Sequence, residues 1–328
     1  MTSSIQIGRR VISHPELIPL GLLVIAWFVL AYFQPAFLSF ANLGNMFAFI
    51  PEFGIVALGM TLLLTAGVFD LSVGAVFGFV PLVMYTLIND AQMAPEIALA
   101  ISLIVGVGVG LINGVLVAKV GITSFLVTLG TALTVRGFAL FMSEGFPETT
   151  LKGGSVLESL LIGSFEVQTL KIFAGLGWFL LLAALTYFLL NRSRQGNWIT
   201  ATGGNERAAS ARGVNTANVK IGLFVLSAVL AGFAGIISSS RIGTAYAISG
   251  TGYELEVIAM CVVGGTSLYG GRGTIIGTVI GVILLRSIRN GIIVVGVPGL
   301  AYNMFVGLII LFAVLLQAMV ERRNLGGR

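Results

Sequence analysis

The sequence predicts an all-α, polytopic membrane protein with about ten transmembrane helices. Hydrophobic residues make up 57% of the 328 residues and charged residues only 9%, whereas soluble domains carry about 25% charged residues. The mean hydropathy is +1.03. Apolar runs of about 20 residues, the helical length that crosses a bilayer, recur along the chain. Because these runs are continuous and do not alternate with polar residues, they favour helices over a β-barrel.

Ten runs account for the fold, and one or two of them are expected to be broken or re-entrant. Arg9 and Arg10 precede the first run as in a secretory signal, but no small-residue cleavage site follows, so this run is interpreted as a retained span. Residues 1–328 are expected to form a single transmembrane domain. The predicted spans are 17–33, 43–66, 71–89, 97–118, 121–142, 172–190, 217–238, 254–270, 273–293 and 300–320.

The charge distribution predicts the orientation. Basic residues are concentrated at the termini and in alternate loops, while the other loops carry mostly acids. Since Lys and Arg are enriched on the cytoplasmic side of membrane proteins, both termini and the loop at 191–216 are expected in the cytosol. The residues on this side are Arg9, Arg10, Lys119, Arg192, Arg194, Arg207, Arg212, Lys220, Arg272, Arg322, Arg323 and Arg328. The net charge of +5 reflects this asymmetry, and no nucleic-acid partner is expected.

Glycines recur at every fourth position in the fourth and ninth spans. They are Gly106, Gly110 and Gly114 in one and Gly273, Gly277 and Gly281 in the other. Such ridges let helix backbones approach closely. The two spans are five apart, so equivalent helices would run in opposite directions, as in the inverted repeats of transporters. Ordinary packing in a helical bundle explains the glycines equally well.

Polar residues near or within the spans are candidate functional residues. Asp70 and Ser72 follow a break at Gly67, where a gate could hinge, and Asp70 is interpreted as a helix cap or a ligand. Pro51 and Glu52 are expected to interrupt the second span. Further pathway candidates, for which hydrogen bonding between helices is an equal explanation, are Asn45, Asn113, Phe125, Thr128 and Asn303.

Charged residues near the later spans have their own candidate roles. Glu254 and Glu256 are expected to open the eighth span on the outer side, where they complement the helix dipole or contact an external binding partner or Arg241. Arg286 is expected to pair with an acid across the bundle.

Several classes of chemistry are excluded by composition. A single cysteine, Cys261, allows neither an internal disulfide nor a thiolate metal site, and the only histidine, His14, precedes the first span. None of the lysines completes a phosphate-binding G-x-x-x-x-G-K-[ST] loop. The chain is therefore not expected to be an enzyme or to hold a cofactor, and any nucleotide that drives it would bind another chain.

The stretch TGGNERAASARGVN, residues 202–215, predicts a short capped helix at 205–212. Asn205 can cap its start, Glu206 and Arg212 match the helix dipole, and Gly213 can adopt the left-handed conformation that ends it. About two turns are not stable alone in water, so the helix must be held by packing. Its small surface at Ala208, Ala209 and Ala211 suits insertion into a groove of another protein, although an ordinary connector is the alternative.

Four ordered motifs resemble the permease subunits of ribose-type carbohydrate ATP-binding-cassette (ABC) importers. TGGNERAASARGVN is similar to that family's G-G-N-x-x-A-A-x-x-x-G-[IV] loop, and FDLSVGAVFG, GITSFLVTLGT and YELEVIAMCVVGGTSLYGGRGTIIGTVIG resemble its other signatures. The resemblance covers nearly the whole chain. Two departures are the segment Gly67, Val68, Phe69 before the aspartate and Thr123 in place of proline.

The resemblance implies a function and partners. It implies inward transport of a monosaccharide or similar polyol across the bacterial inner membrane, with ATP and Mg on a partner ATPase dimer. It also implies an external sugar-binding protein and a second permease copy, identical or closely related, in the bilayer. The coupling residues carried over are Gly203, Gly204, Asn205, Glu206, Ala208, Ala209, Arg212 and Gly213. An ABC permease for nucleosides or branched-chain amino acids, and a secondary transporter or channel, remain alternatives.

Overall fold

The computed structural model describes residues 16–149, 156–167, 169–296, 304, 305, 307, 308 and 311. The helices are α1 (Leu17–Phe33), α2 (Phe40–Thr65), α3 (Val73–Asn89), α4 (Pro95–Ala118), α5 (Ser124–Met142), α6 (Val156–Ile162), α7 (Ala174–Arg192), α8 (Arg194–Gly204), α9 (Glu206–Ala211), α10 (Thr216–Ile242), α11 (Tyr253–Val263) and α12 (Ile275–Val294), with a 3₁₀ helix at Pro35–Leu38. The strands are β1 (Glu148–Thr149), β2 (Ser164–Val167), β3 (Leu170–Phe173) and β4 (Thr244–Ala245).

The prediction of an all-α polytopic membrane protein is confirmed. Within the described ranges, six helices are long and apolar enough to cross a membrane: α2, α4, α5, α7, α10 and α12. The apolar helices α1 and α3 are slightly shorter, at 17 residues each. Eight of the first nine predicted spans coincide with helices, and the remaining one, 254–270, is helical only in the part covered by α11. Most of the tenth, 300–320, lies outside the described residues.

The centre of the bundle is formed by α2 and α10. Every residue of α2 from Ile50 to Thr65 is buried, which is expected of a helix that is apolar on all sides. The two helices touch where Gly59 meets Ser227: a Cβ atom at Gly59 would lie 2.9 Å from the Ser227 Cα. The absence of a side chain at this glycine therefore sets how closely the helices approach.

The two halves of the chain pack on each other in equivalent ways: a helix of the first half packs on α10, and a helix of the second half packs on α2. α4 packs on α10, and a Cβ at Gly110 would lie 2.6 Å from the carbonyl oxygen of Phe224. In the same way α12 packs on α2, with the Thr61 and Thr278 hydroxyls 2.6 Å apart. α10 runs antiparallel to α2. Two contacts show this: Glu52 contacts Arg241, and Gly59, further along α2, contacts Ser227, which comes earlier in α10. α4 thus contacts α10 as α12 contacts α2, with α2 and α10 antiparallel, which is the arrangement that an inverted repeat produces.

Two predictions about broken helices require correction. α2 continues without interruption through Pro51, since the carboxylate of Glu52 is paired with Arg241 and the surrounding helices hold the turn in place. The predicted span 254–270 is only the 11-residue α11, too short to cross a bilayer. The glycine pairs 264–265 and 270–271 end this helix and turn the chain back; Gly265, Gly270 and Gly271 all have positive φ.

The region between α5 and α7 contains structure that the sequence analysis did not predict. β2 and β3 form an antiparallel hairpin, and β1 pairs antiparallel with β4. The β1–β4 pairing joins this region to the segment between α10 and α11. Residues 246–250 of that segment continue along α3, where a Cβ at Gly78 would lie 2.7 Å from the carbonyl oxygen of Ser249.

Candidate functional site

The short helix predicted at 205–212 is present as α9. The Asn205 side chain accepts a hydrogen bond of 3.0 Å from the backbone N–H of Ala208, and Gly213 has φ +84°. Glu206 lies in the first turn and also forms an ion pair of 2.7 Å with Lys220 of α10. The caps and this pair hold a helix of six residues that could not persist alone in water.

The surface of α9 differs from the predicted one at a single position. Ala208, Ala211 and Arg212 are exposed, but Ala209 is only 5% exposed. Its methyl group lies on the side of α9 that packs against the rest of the protein. Ala209 was expected to contact a partner directly, which is wrong in this structure; Ala208 and Ala211 form the small-residue surface that is open to one.

α8 ends with Gly203 and Gly204. Gly203 takes part in a contact between backbones that we call the glycine junction. The residues that form the junction are Thr65, Gly67, Gly203, Gly270 and Gly271. The Gly271 N–H donates to the Thr65 carbonyl at 2.9 Å. A Cβ at Gly203 would overlap this same carbonyl oxygen, and one at Gly270 would lie 2.9 Å from the Gly67 Cα. The segment carrying α9 is therefore in direct backbone contact with the end of α2 and with the loop leading to α12.

A buried polar cluster lies at the same end of the bundle, which we call the α9 end. Asp70 Oδ1 accepts hydrogen bonds from the Ser72 N–H at 2.7 Å and the Ser72 hydroxyl at 2.6 Å. The Asn113 amide donates to Ser72 Oγ at 2.9 Å and accepts from the Thr131 hydroxyl at 2.7 Å. Thr128 Oγ1 accepts from the Leu71 N–H at 3.0 Å. These bonds join the α2–α3 turn to α4 and α5.

Asp70 lies in the turn between α2 and α3 and is fully buried. Burial raises the pKa of this carboxyl to about 6, against the opposing effect of its hydrogen bonds with Ser72 and Asn113. Its Oδ2 atom has no hydrogen-bond partner among the described residues. Asp70 accepts the N–H of Ser72, which is itself the N-cap residue, and no side chain among the described residues caps the first turn of α3. The helix cap that the sequence favoured for Asp70 is therefore not formed.

The remaining pathway candidates do not join this cluster. Asn45 is exposed on α2, and Phe125 is exposed at the start of α5. Asn303 lies outside the described residues. The structure therefore brings together Asp70, Ser72, Asn113 and Thr128 and separates them from Asn45 and Phe125.

The acids expected on the outer side lie inside the bundle. Glu256 is 8% exposed, and its Oε1 accepts from Arg286 at 2.7 Å, so the expected pairing of Arg286 with an acid is confirmed. Arg241 pairs with Glu52 through a 3.0 Å hydrogen bond from Nε. Arg241 therefore pairs with Glu52 and not with Glu254 or Glu256, which was one of the alternatives for these acids. Both acids lie in the first turn of α11, as the helix-dipole alternative predicts.

A cavity of about 220 Å³ lies between α2, α11 and α12, towards the end of the bundle opposite α9. Aromatic rings line one part of it: Phe53 and Tyr253 stack with their centroids 4.1 Å apart, and the Arg286 guanidinium lies 3.7 Å from the Phe53 centroid. The full lining is Met46, Phe49, Phe53, Tyr253, Arg286, Arg289, Asn290 and Ile293. The sequence analysis did not predict a role for Phe49, Phe53 or Tyr253. The chain has 22 phenylalanines, and no pattern in the sequence distinguishes Phe49 and Phe53 from the others.

Comparisons with known proteins identify relatives along nearly the whole chain. A family profile described as "Branched-chain amino acid transport system / permease component" matches residues 42–315. The chain is 33% identical to the ribose import permease protein RbsC of Escherichia coli K12, over 97% of this chain and 99% of the relative. It is 34% identical to the galactose/methyl galactoside import permease protein MglC of the same strain, over 90% and 92%.

A third relative comes from a different organism. The xylose/arabinose import permease protein XylH of Sulfolobus acidocaldarius is 32% identical over 89% of this chain and 82% of its own. No solved structure matches the chain. Because the profile spans most of the sequence and the relatives align from end to end, the chain belongs to the family of branched-chain amino acid transport system permease components.

Proposed function

We propose that this protein is the membrane permease of an ABC importer that carries a monosaccharide or similar small polyol inward across the bacterial inner membrane. The ATPase dimer that binds ATP and Mg, the external sugar-binding protein and the second permease copy are separate chains. The ribose, galactose and xylose/arabinose permeases among its relatives support a sugar as cargo. No catalytic step is assigned to this chain.

The observation that carries the proposal is the glycine junction. A helix that receives force from an ATPase must pass it to the helices that enclose the cargo. Here Gly203, three residues before the start of α9, touches the backbone of Thr65 at the end of α2 and that of Gly271 before α12. Contacts between backbones transmit displacement directly, because no flexible side chain lies between them.

The mechanism follows from these contacts. Closure of the ATPase subunits on ATP displaces α9 and the end of α8. The displacement reaches α2 and α12 through the glycine junction, and the permease changes from outward-open to inward-open. ATP and the external binding protein must each favour one of these states, because a ligand with equal affinity for both shifts nothing.

The orientation belongs to the same proposal. α9 would lie in the cytosol, as would both termini, which agrees with Arg207, Arg212 and Lys220 being at that end of the bundle. The end opposite α9 would then meet the external binding protein. Glu256 is buried and Glu254 is partly exposed, so the exposed hairpin β2–β3 would form more of this outer surface than they do.

Reconstitution tests the proposal. The permease is purified with its native ATPase and binding protein and placed in vesicles. ATP hydrolysis is measured with and without the binding protein, and uptake is measured for labelled D-ribose, D-galactose, D-xylose, L-leucine and adenosine. We expect the binding protein to stimulate hydrolysis and one of the sugars to accumulate. The proposal would be contradicted by a rate of ATP hydrolysis that is the same with and without the binding protein. It would also be contradicted by uptake of leucine or adenosine alone.

A further inference from the structure

Two arginines lie exposed where α7 ends and the chain turns into α8. Arg192 is the last residue of α7, and Arg194 is the first residue of α8. Neither forms an ion pair with a described residue, whereas Arg241 and Arg286 each pair with a glutamate. Residues 191–205 include no acid. The turn therefore carries two positive charges that no described residue neutralises.

We infer that this turn and the adjoining face of α7 bind an anionic phospholipid of the cytosolic leaflet, with its phosphate between Arg192 and Arg194. The inference rests on the proposed function and orientation, and it adds a ligand and a role for α8. Four features carry it: the geometry of the turn, a stacked tryptophan, the apolar face of α7 and the path from the turn to the glycine junction.

The turn is held in one conformation by its serine and its glycine. The Ser193 hydroxyl donates to the Leu189 carbonyl at 2.6 Å and accepts from the Gly196 N–H at 3.1 Å. A Cβ at Gly196 would overlap the Leu190 carbonyl oxygen, so glycine is needed for α8 to fold back this closely on α7. Because Ser193 stands between the two arginines, the fixed turn keeps both of them exposed at the end of the span.

Arg194 stacks on an aromatic ring. Its guanidinium carbon lies 4.8 Å from the ring centroid of Trp198, one turn further along α8. Stacking uses the face of a guanidinium and leaves the N–H donors at its edge available to phosphate oxygens. Tryptophan is enriched at both membrane–water interfaces, and Trp178 lies near the other end of α7. The two tryptophans therefore place the Arg192 end of α7 at the level of the lipid headgroups.

One face of α7 is exposed and apolar up to Arg192. Its residues recur every three or four positions, as on one side of a helix, and they are Leu181, Ala184, Leu185, Phe188 and Arg192. Eleven residues of helix from Leu181 to Arg192 span about 16 Å, and one leaflet of a hydrocarbon core is about 15 Å deep. The apolar side chains therefore match the acyl chains of one leaflet, and the arginine matches its phosphate.

The other end of α8 lies in the glycine junction. α8 has 11 residues and ends with Gly203 and Gly204, and its Ile199 and Thr202 are buried. Gly203 touches the backbone of Thr65. A lipid that binds both arginines fixes the first end of α8, so displacement of α9 is transmitted at the second end and is not lost as a tilt of the helix. Anionic lipid is therefore expected to raise the sugar uptake obtained per ATP hydrolysed.

Binding is tested by fluorescence quenching with the full-length permease in phosphatidylcholine nanodiscs. Cys261 is buried, so Asn197→Cys, at an exposed position of α8, accepts a fluorescent label selectively. The quencher is phosphatidylglycerol or phosphatidylcholine with a nitroxide on its acyl chain. We expect half-maximal quenching at an at least about fivefold lower fraction of phosphatidylglycerol, since each arginine near a membrane surface contributes about that factor.

Two variants show whether the preference is local. The double variant Arg192→Gln, Arg194→Gln should lose the preference for phosphatidylglycerol. Lys119→Gln is the matched control, because Lys119 is an exposed cation at the end of another span, α4, and it should keep the preference. Equal quenching by the two lipids in the wild-type permease would overturn the inference. So would an equal loss in Lys119→Gln, which would reduce the effect to general surface charge.

The role of α8 is tested in the reconstituted complex. Sugar uptake per ATP hydrolysed is compared in vesicles of phosphatidylcholine with and without phosphatidylglycerol. We expect phosphatidylglycerol to raise the ratio at least about fivefold in wild type and to leave it unchanged in the double variant. Equal ratios in wild type would overturn the role of the lipid, and loss of the ATPase from the double variant would assign the arginines to that partner instead. Failure of the proposed function is a different outcome, in which the wild-type complex accumulates no sugar in either vesicle while the quenching preference persists.

Discussion

The polar cluster at the α9 end and the cavity at the opposite end both place polar side chains inside the bundle, yet they differ in what surrounds those side chains. In the cluster, Ser72, Asn113 and Thr131 satisfy one another at 2.7 to 2.9 Å and leave no space between them. In the cavity, Arg289 and Asn290 border about 220 Å³ of open volume. Polar residues inside a membrane bundle therefore divide into those that join helices and those that enclose a space.

The division explains why Asp70, Ser72, Asn113 and Thr128 are better understood as helix joints than as cargo ligands. A hydrogen bond between membrane helices contributes only about 0.6 kcal/mol on average, but several in one place fix the relative position of three elements. The cluster lies close to the glycine junction in sequence, through Gly67 and Asp70. It would hold the turn between α2 and α3 while α9 moves.

The largest expected effect is on stability, at the buried ion pair beside the cavity. Arg286→Ala leaves the Glu256 carboxylate without its closest partner and should lower the free energy of unfolding by about 3–5 kcal/mol. The matched variant Arg289→Ala removes a side chain that is 41% exposed and should cost no more than about 1 kcal/mol. Chemical unfolding in detergent measures both, and equal costs would show that the two arginines are not distinguished by burial.

The second expected effect is a pH dependence that arises in the polar cluster. The pKa of Asp70 is about 6 in the folded protein against an ordinary value of 3.8, so the folded state binds the proton more tightly. The resulting stabilisation is complete below about pH 4 and is lost as the pH rises through about 6, a change of up to about 3 kcal/mol. Unfolding of wild type and Asp70→Asn between pH 4 and pH 7.5 measures it. If the free energy of unfolding changed with pH in the same way in wild type and in Asp70→Asn, the raised pKa of Asp70 would be contradicted.

The third effect concerns coupling and has a control one residue away. A Cβ at Gly203 would overlap the Thr65 carbonyl oxygen, whereas at Gly204 the nearest atom is 3.8 Å away. Gly203→Ala should therefore lower sugar uptake per ATP hydrolysed at least about tenfold, corresponding to 1.4 kcal/mol, and Gly204→Ala should leave it unchanged. Parallel assays of uptake and hydrolysis in vesicles measure the ratio. Equal behaviour of the two variants would remove the glycine junction from the mechanism.

The smallest expected effect separates a helix joint from a cargo site. Asn113→Ala removes the hydrogen bonds with Ser72 and Thr131 and should lower the free energy of unfolding by about 1 kcal/mol. Uptake by the folded fraction should match wild type. A loss of uptake at unchanged stability would return Asn113 to the cargo pathway.

Much of the fold could be predicted because the bilayer imposes helix length. Eight predicted spans coincide with helices, and the caps of α9 were predictable from Asn205 and Gly213, whose local chemistry depends only on near neighbours. Predictions failed where distant contacts decide. Pro51 remains helical because neighbouring helices enclose it, and Ala209 is buried because α9 packs on the protein through that one side.

The candidate site was less predictable than the fold. The polar cluster could be assembled from sequence, because Asp70, Asn113 and Thr128 stand out among apolar neighbours. The cavity could not, since Phe49 and Phe53 look like any other core phenylalanines until α11 is seen to be short. The short helix places Tyr253 deep in the bundle, beside Phe53.

The central claim is that movement of α9 reaches the cavity through the glycine junction. Spin labels at Asn45 on α2 and Val295 just beyond α12, both exposed beside the cavity, report the separation of its walls in the assembled complex diluted with unlabelled permease. The separation should differ between the nucleotide-free and ATP-bound complexes, should differ equally in Gly204→Ala, and should stay fixed in Gly203→Ala. A separation that does not change with ATP while sugar uptake proceeds would contradict the account.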